Sequence, residues 1–151
     1  MAFVRRIRNF ARRELFVQVW VVPVWLGLGL ASLVILLVPF RRIAPLLGTM
    51  QTPGQTAMEV TAEGIDRARK IKRTIDLAAR FAPWRADCYP QAIIARMLLK
   101  TYRLPYRLSI GVARAHEGEG MNAHAWVACG PIPVSGGRSD DLYTVVTQFT
   151  G

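Results

Sequence analysis

The stretch that decides the fold is residues 83–102, PWRADCYPQAIIARMLLKTY. Pro83 stops the helix before it, Trp84-Arg85-Ala86 lead out of the break, and Asp87 stands at a natural N-cap, with a carboxylate to accept hydrogen bonds from the first turn. Cys88 then opens a helix whose apolar face is Ala92, Ala95, Leu99 and Tyr102. A thiol at that position feels the positive end of the helix dipole, which favours the thiolate, while the neighbouring Asp87 acts against the effect. Free N–H groups at the same helix end are placed to steady the oxyanion of a tetrahedral intermediate. A small buried hydrophobe is the plain alternative for this cysteine.

Upstream, Ile65, Ala68, Ile71, Ile75, Ala78 and Ala79 recur at helical spacing among charges, which predicts one long amphipathic helix over 57–81 with a weak point at Gly64. Its basic stretch, Arg67, Arg69, Lys70, Lys72 and Arg73, suits a solvated face or an acidic partner. Downstream, Leu104-Pro105-Tyr106 breaks the second helix, and Leu108, Ile110 and Val112 alternate with smaller or polar residues as a half-buried strand. After the turn HEGEG at 116–120, a strand runs over 121–129, with Ala123, Ala125, Val127 and Cys129 on one face and Asn122, His124, Trp126 and Ala128 on the other. A short edge segment around Pro133, a turn at Gly136-Gly137 and a strand over 142–149 complete an expected antiparallel meander, an α+β order. A helix-initial Cys followed by a strand His is the arrangement by which cysteine peptidases and transglutaminases bring thiolate and imidazole together. A satisfied core histidine is the alternative for His124.

The N-terminal third reads differently. Residues 15–40 carry no formal charge and exceed the ~20 apolar residues that span a bilayer, yet Pro23, Gly27 and Gly29 interrupt them. Arg5, Arg6, Arg8, Arg12 and Arg13 precede the run, and Arg41 and Arg42 follow it. Three placements fit: a spanning helix, a segment lying on the membrane surface or re-entering it, and a helical pair packed on the domain or on a partner. The run is too long for an ordinary signal peptide, and no small-x-small cleavage site follows. Residues 48–56, GTMQTPGQT, read as the linker.

With 151 residues the chain has room for one ordinary core, and its net charge of +10 points to an anionic partner without naming it. No nucleic-acid module and no basic stripe interleaved with aromatics is present, so nucleic acid is not expected as a partner. Two cysteines, Cys88 and Cys129, do not make a disulfide framework and suit a reducing compartment. A zinc site of Cys88, His116, His124 and Cys129 would lack the closely spaced ligand pairs that zinc sites use.

PWRADCYPQAIIARMLLKTYRLPYRLSIGVAR at 83–114, NAHAWVACGPIPVSGG at 122–137 and VPFRRIAPLLG at 38–48 together resemble the B protein of lasso-peptide biosynthesis, a leader peptidase with a transglutaminase-like, papain-like core. The resemblance implies an α+β peptidase fold and a cytoplasmic enzyme. With the linker reading, the expected division is a basic and hydrophobic helical segment with its linker over 1–52 and the peptidase domain over 53–151, and the hydrophobic run adds the option of association with the inner face of the membrane. The implied activity is removal of the leader from a ribosomally made precursor, with no cofactor. A small recognition-element protein would grip the leader, and a separate cyclase would close the ring. By matching position Cys88 takes the nucleophile's role, His124 the base's, and Trp126 packs beside the site. The third member, an Asp that orients the imidazole, falls to Asp140 or Asp141, the only carboxylates downstream of His124; a backbone carbonyl or a water is the other way to hold the ring. A membrane-associated adaptor that keeps the fold with weak or no activity is the competing reading.

Overall fold

The computed structural model describes residues 14–52, 54, 58–114, 120–137 and 142–151. Leu15–Leu37 form one helix, α1, of 23 residues; Phe40–Ile43 form the single turn α2, and Ala44–Leu46 a 3-10 turn. Pro23 does not break α1, because Val17 and Val24 on either side of it are both buried against the domain and carry the helix through. Gly29 marks a close approach: a Cβ there would lie 2.8 Å from Trp84 Cζ2. Trp20 Nε1 donates to Tyr102 Oη at 2.7 Å, Trp25 Nε1 to Phe81 O at 3.1 Å, and Ser32 Oγ lies 2.9 Å from Arg85 O. One side of α1 is thus fastened to the rest of the chain.

The helix α3 spans Ala62–Arg80 and starts later than the periodicity suggests, at Thr61, whose Oγ1 accepts from Gly64 N at 3.1 Å. Gly64 is a packing position rather than a weak point, since its bare Cα lets Val60 and Leu104 close over the helix start. Ala68, Ile71, Thr74, Ile75 and Ala78 face the core. Most of the basic stretch is answered locally: Lys70 pairs with Asp66 at 2.7 Å, Lys72 with Asp76 at 2.9 Å, and Arg73 with Glu14 at 2.7 Å. Arg67 stacks 4.8 Å over the Tyr102 ring. The bond to Lys70 holds the Asp66 carboxyl below its ordinary value. Helix α4, Cys88–Thr101, packs beside α3 and α1.

Five strands form one antiparallel sheet: β1 Thr49–Gln51, β2 Arg107–Arg114, β3 Met121–Cys129, β4 Ile132–Ser135 and β5 Thr144–Thr150. Their order is β1-β5-β2-β3-β4. Two expectations change here. The supposed linker contributes β1, and the last strand does not close a meander beside β4 but passes between β1 and β2. Proline accounts for the second change: Pro133 lies in β4 and has no N–H to give a further strand, so β4 ends the sheet and β5 pairs with the open side of β2. Helices cover one sheet face, where Leu108, Ile110, Ala125, Val127, Cys129 and Phe149 meet Ala92, Ala95 and Leu99. Val24, Leu28, Ala31, Ile43 and Leu47 from the N-terminal segment enter the same core. On the other face Gln148 Nε2 donates to the buried Ser109 Oγ at 3.1 Å. β2 is therefore buried on both faces over Leu108–Gly111, not half-buried as its alternation suggests.

Candidate active site

Cys88 is the first residue of α4, half-buried, with its side chain against the core. Asp87 stands at the N-cap with an extended backbone, as expected, but its side chain caps nothing; the carboxylate lies 3.1 Å from Arg85 Nε. A charge-assisted bond to a guanidinium two residues away outcompetes the neutral N–H donors of the first turn. One consequence follows for the site: the helix start keeps N–H groups without a side-chain cap. Pro90 has no N–H, which leaves those of Cys88 and Tyr89 at the first two positions. Gln91 Nε2 donates to Ala86 O at 2.7 Å and ties the preceding loop to the helix. Burial pushes the Tyr89 phenol above its ordinary value, and the charge on Cys88 adds to the shift.

His124 lies in β3 opposite Gly111 of β2. Ala125 and Val127 enter the core under α4, so strand alternation turns His124 and Trp126 to the other sheet face. There the imidazole stacks on Tyr143 at 4.9 Å and on Trp126 at 5.9 Å, and His124 Nε2–H donates to Gly136 O at 2.9 Å. A carbonyl only accepts, so Nε2 carries a proton, and in the neutral ring the lone pair falls on Nδ1. Gly136 is held at φ +75°, and a Cβ there would lie 2.6 Å from Ala125 O and 2.6 Å from Trp126 Cβ. Only glycine lets this turn press down on β3 and bring its carbonyl to the ring.

Cys88 and His124 are not hydrogen-bonded to one another, and their side chains lie on different sides of the sheet; an apolar cavity of about 200 Å³ on the helix side is lined by Tyr89, Ala92, Ile93 and Ala125 among others. Cys129 is fully buried and its thiol is pushed up to about 11 by burial, so it is a packing residue. Among the described residues no three His, Cys, Asp or Glu side chains gather closely enough to hold a metal ion. His116, Asp140 and Asp141 lie outside the described residues. Sequence reasoning singled out Trp126 and allowed a backbone carbonyl to hold the ring, but it missed Tyr143 and gave Gly136 no role beyond a turn. A lone aromatic just ahead of β5 carries no signal of what it stacks on.

The sequence profile of the transglutaminase-like superfamily matches residues 34–148, well over half of the chain. The chain belongs to that superfamily. The match runs from the C-terminal part of α1 through most of β5, taking in the Cys88 turn and the β3 histidine. It is a superfamily that includes cysteine peptidases. No curated protein and no solved structure matches the chain.

Proposed function

We propose that this transglutaminase-like domain is a cytoplasmic cysteine peptidase that cleaves the leader from a ribosomally made lasso-peptide precursor. The observation that carries the reading is the half-buried Cys88 at a helix start that no side chain caps, inside a superfamily domain. The Cys88 thiolate attacks the carbonyl carbon ahead of the scissile nitrogen, and His124 Nδ1 takes the thiol proton. The N–H groups of Cys88 and Tyr89 hold the oxyanion. The imidazolium then gives its proton to the departing amine of the core peptide. Water, deprotonated by the same imidazole, releases the leader carboxylate and restores the thiol. In the resting arrangement Gly136 O, rather than Asp140, holds Nε2, so that Nδ1 is the basic nitrogen of the neutral ring. The reaction needs the thiol and imidazole within ~3 to 3.5 Å, and His124 lies on the sheet face turned away from α4, so peptide binding must turn the His124 segment of β3 toward Cys88. A leader-binding recognition-element protein and the lasso cyclase are the proposed partners.

Intact masses of precursor incubated with this chain and the recognition-element protein test the reading. Leader release is expected from the unaltered chain and from neither Cys88→Ala nor His124→Ala, with both variants folded by circular dichroism. One observation favours a second reading, a catalytically weak or inactive adaptor: Cys88 and His124 are not hydrogen-bonded. Full-rate cleavage in the presence of Cys88→Ala would decide for the adaptor.

A further inference from the structure

The helix α1 is apolar all the way round, which a helix at a protein surface ordinarily is not. Its inner side, Val17, Val24, Leu28 and Ala31, is buried. Its outer side carries Val19, Val22, Leu26, Leu30, Leu33 and Leu37, at steps of three and four along one line, each at least half exposed. Leu36, beside that line, is 80% exposed. Leu30 also lines a groove of about 810 Å³ with Leu46 and Met97, so the apolar surface continues from α1 onto α4. Patches of this extent mark a surface that is covered in use.

We propose that this face lies flat in the surface of an anionic lipid bilayer, with α1 parallel to the membrane plane. Charge distribution selects lipid. The outer line holds only Val and Leu, without the Tyr, Trp, Met or Arg that enrich the centre of a protein interface. Its borders are basic. Exposed Arg41 and Arg42 follow α1, Arg96 and Lys100 line the groove, and Arg5, Arg6, Arg8, Arg12 and Arg13 precede α1 in the sequence. Basic side chains bordering an apolar face are what phosphate headgroups above an acyl layer attract.

The packing of α1 selects the orientation. At 23 residues, roughly 35 Å, it is long enough to cross a bilayer. Yet its inner side is fastened by Trp20, Trp25 and Ser32 and lies along α3, which carries Asp66, Lys70, Lys72 and Asp76. Crossing would draw those charges into the hydrocarbon or tear α1 from the core. Lying flat leaves every inner contact in place.

The test uses the full chain with phosphatidylcholine vesicles, with and without phosphatidylglycerol. Flotation is expected with the anionic vesicles, about tenfold weaker without phosphatidylglycerol or in high salt. Leu26→Glu with Leu30→Glu, at exposed positions, is expected to abolish it while leaving the circular dichroism spectrum and melting temperature unchanged. In sealed inside-out membrane vesicles from expressing cells, protease is expected to remove tags from both ends of the chain. Tags on opposite sides would overturn the flat orientation in favour of a span. A protein that ignores vesicles would overturn the proposal, and concentration-dependent dimerisation lost in the double variant would then assign the face to a second copy. None of these readouts depends on peptidase activity, so the proposal stands or falls apart from the function above.

Discussion

Replacing Gly136 by alanine places a methyl group where β3 leaves no room. The residue sits at φ +75°, a region that costs an L-residue roughly 1 to 2 kcal/mol. The new Cβ would also meet Ala125 O and Trp126 Cβ at 2.6 Å each, and neither is the free end of a flexible side chain. Overpacking of this kind adds about 1 to 3 kcal/mol, for a total of roughly 2 to 5. Gly137 provides the internal control. Its φ is +71°, but nothing lies within 4 Å of a Cβ there, so Gly137→Ala should cost only the backbone part. Urea unfolding of the three proteins, compared at equal slope, measures both numbers. Relief of the clash by outward movement of the turn also takes Gly136 O away from the imidazole. Side-chain nitrogen NMR should then show the neutral His124 ring losing its fixed Nε2–H form. A Gly136→Ala variant no less stable than Gly137→Ala, with the His124 tautomer unchanged, would refute the close packing described here.

The buried Cys129 ties stability to alkaline pH. Its folded value, about 11, lies above the ordinary 9.0, so the unfolded chain ionises first. The contribution is complete below pH 9.0 and is lost as pH climbs toward about 11, a fall of about 2 to 3 kcal/mol. Unfolding across that window should lose most of this slope in Cys129→Ala, though that variant is less stable throughout. In the native protein at neutral pH, iodoacetamide should modify Cys88 and spare Cys129 until denaturant is added, which peptide mass mapping reads directly. Thr61→Ala removes the acceptor for Gly64 N and should cost about 1 kcal/mol by urea unfolding, with Thr61→Ser recovering most of it.

What the sequence makes legible is local. The helix beginning at Cys88 follows from Pro83, Asp87 and the apolar spacing beyond it, and β3 has the bounds its alternation suggests, Met121–Cys129. Partners distant in sequence are a different matter. No period in 142–149 tells a strand to pair with β2 rather than β4; that depends on which edge the fold leaves open. Residues 49–51 become a strand only because β5 offers them a ladder. Pro23 and Gly29 look like interruptions until the neighbours that hold α1 together are known. For Asp87, position was readable but occupation was not, since the nearer cation took the carboxylate. The site divides the same way: Cys88 and His124 stand out by residue type and context, whereas the Gly136 carbonyl and the Tyr143 ring reach the imidazole only after the sheet has formed.

The place of β5 between β1 and β2 also sets the order in which the chain can be completed. On the ribosome the helices and the β2–β3 hairpin emerge first and can associate, but the residues that join them to the segment around Thr49 are made after every other strand of the sheet. Until Thr144–Thr150 arrive, one margin of β2 has no neighbour and β1 has nothing to pair with. Nascent chains stalled short of these residues would carry a nearly finished sheet with a gap in its middle, open to any extended segment nearby. β5 is therefore the keystone of this sheet, and its safest companion during synthesis is speed.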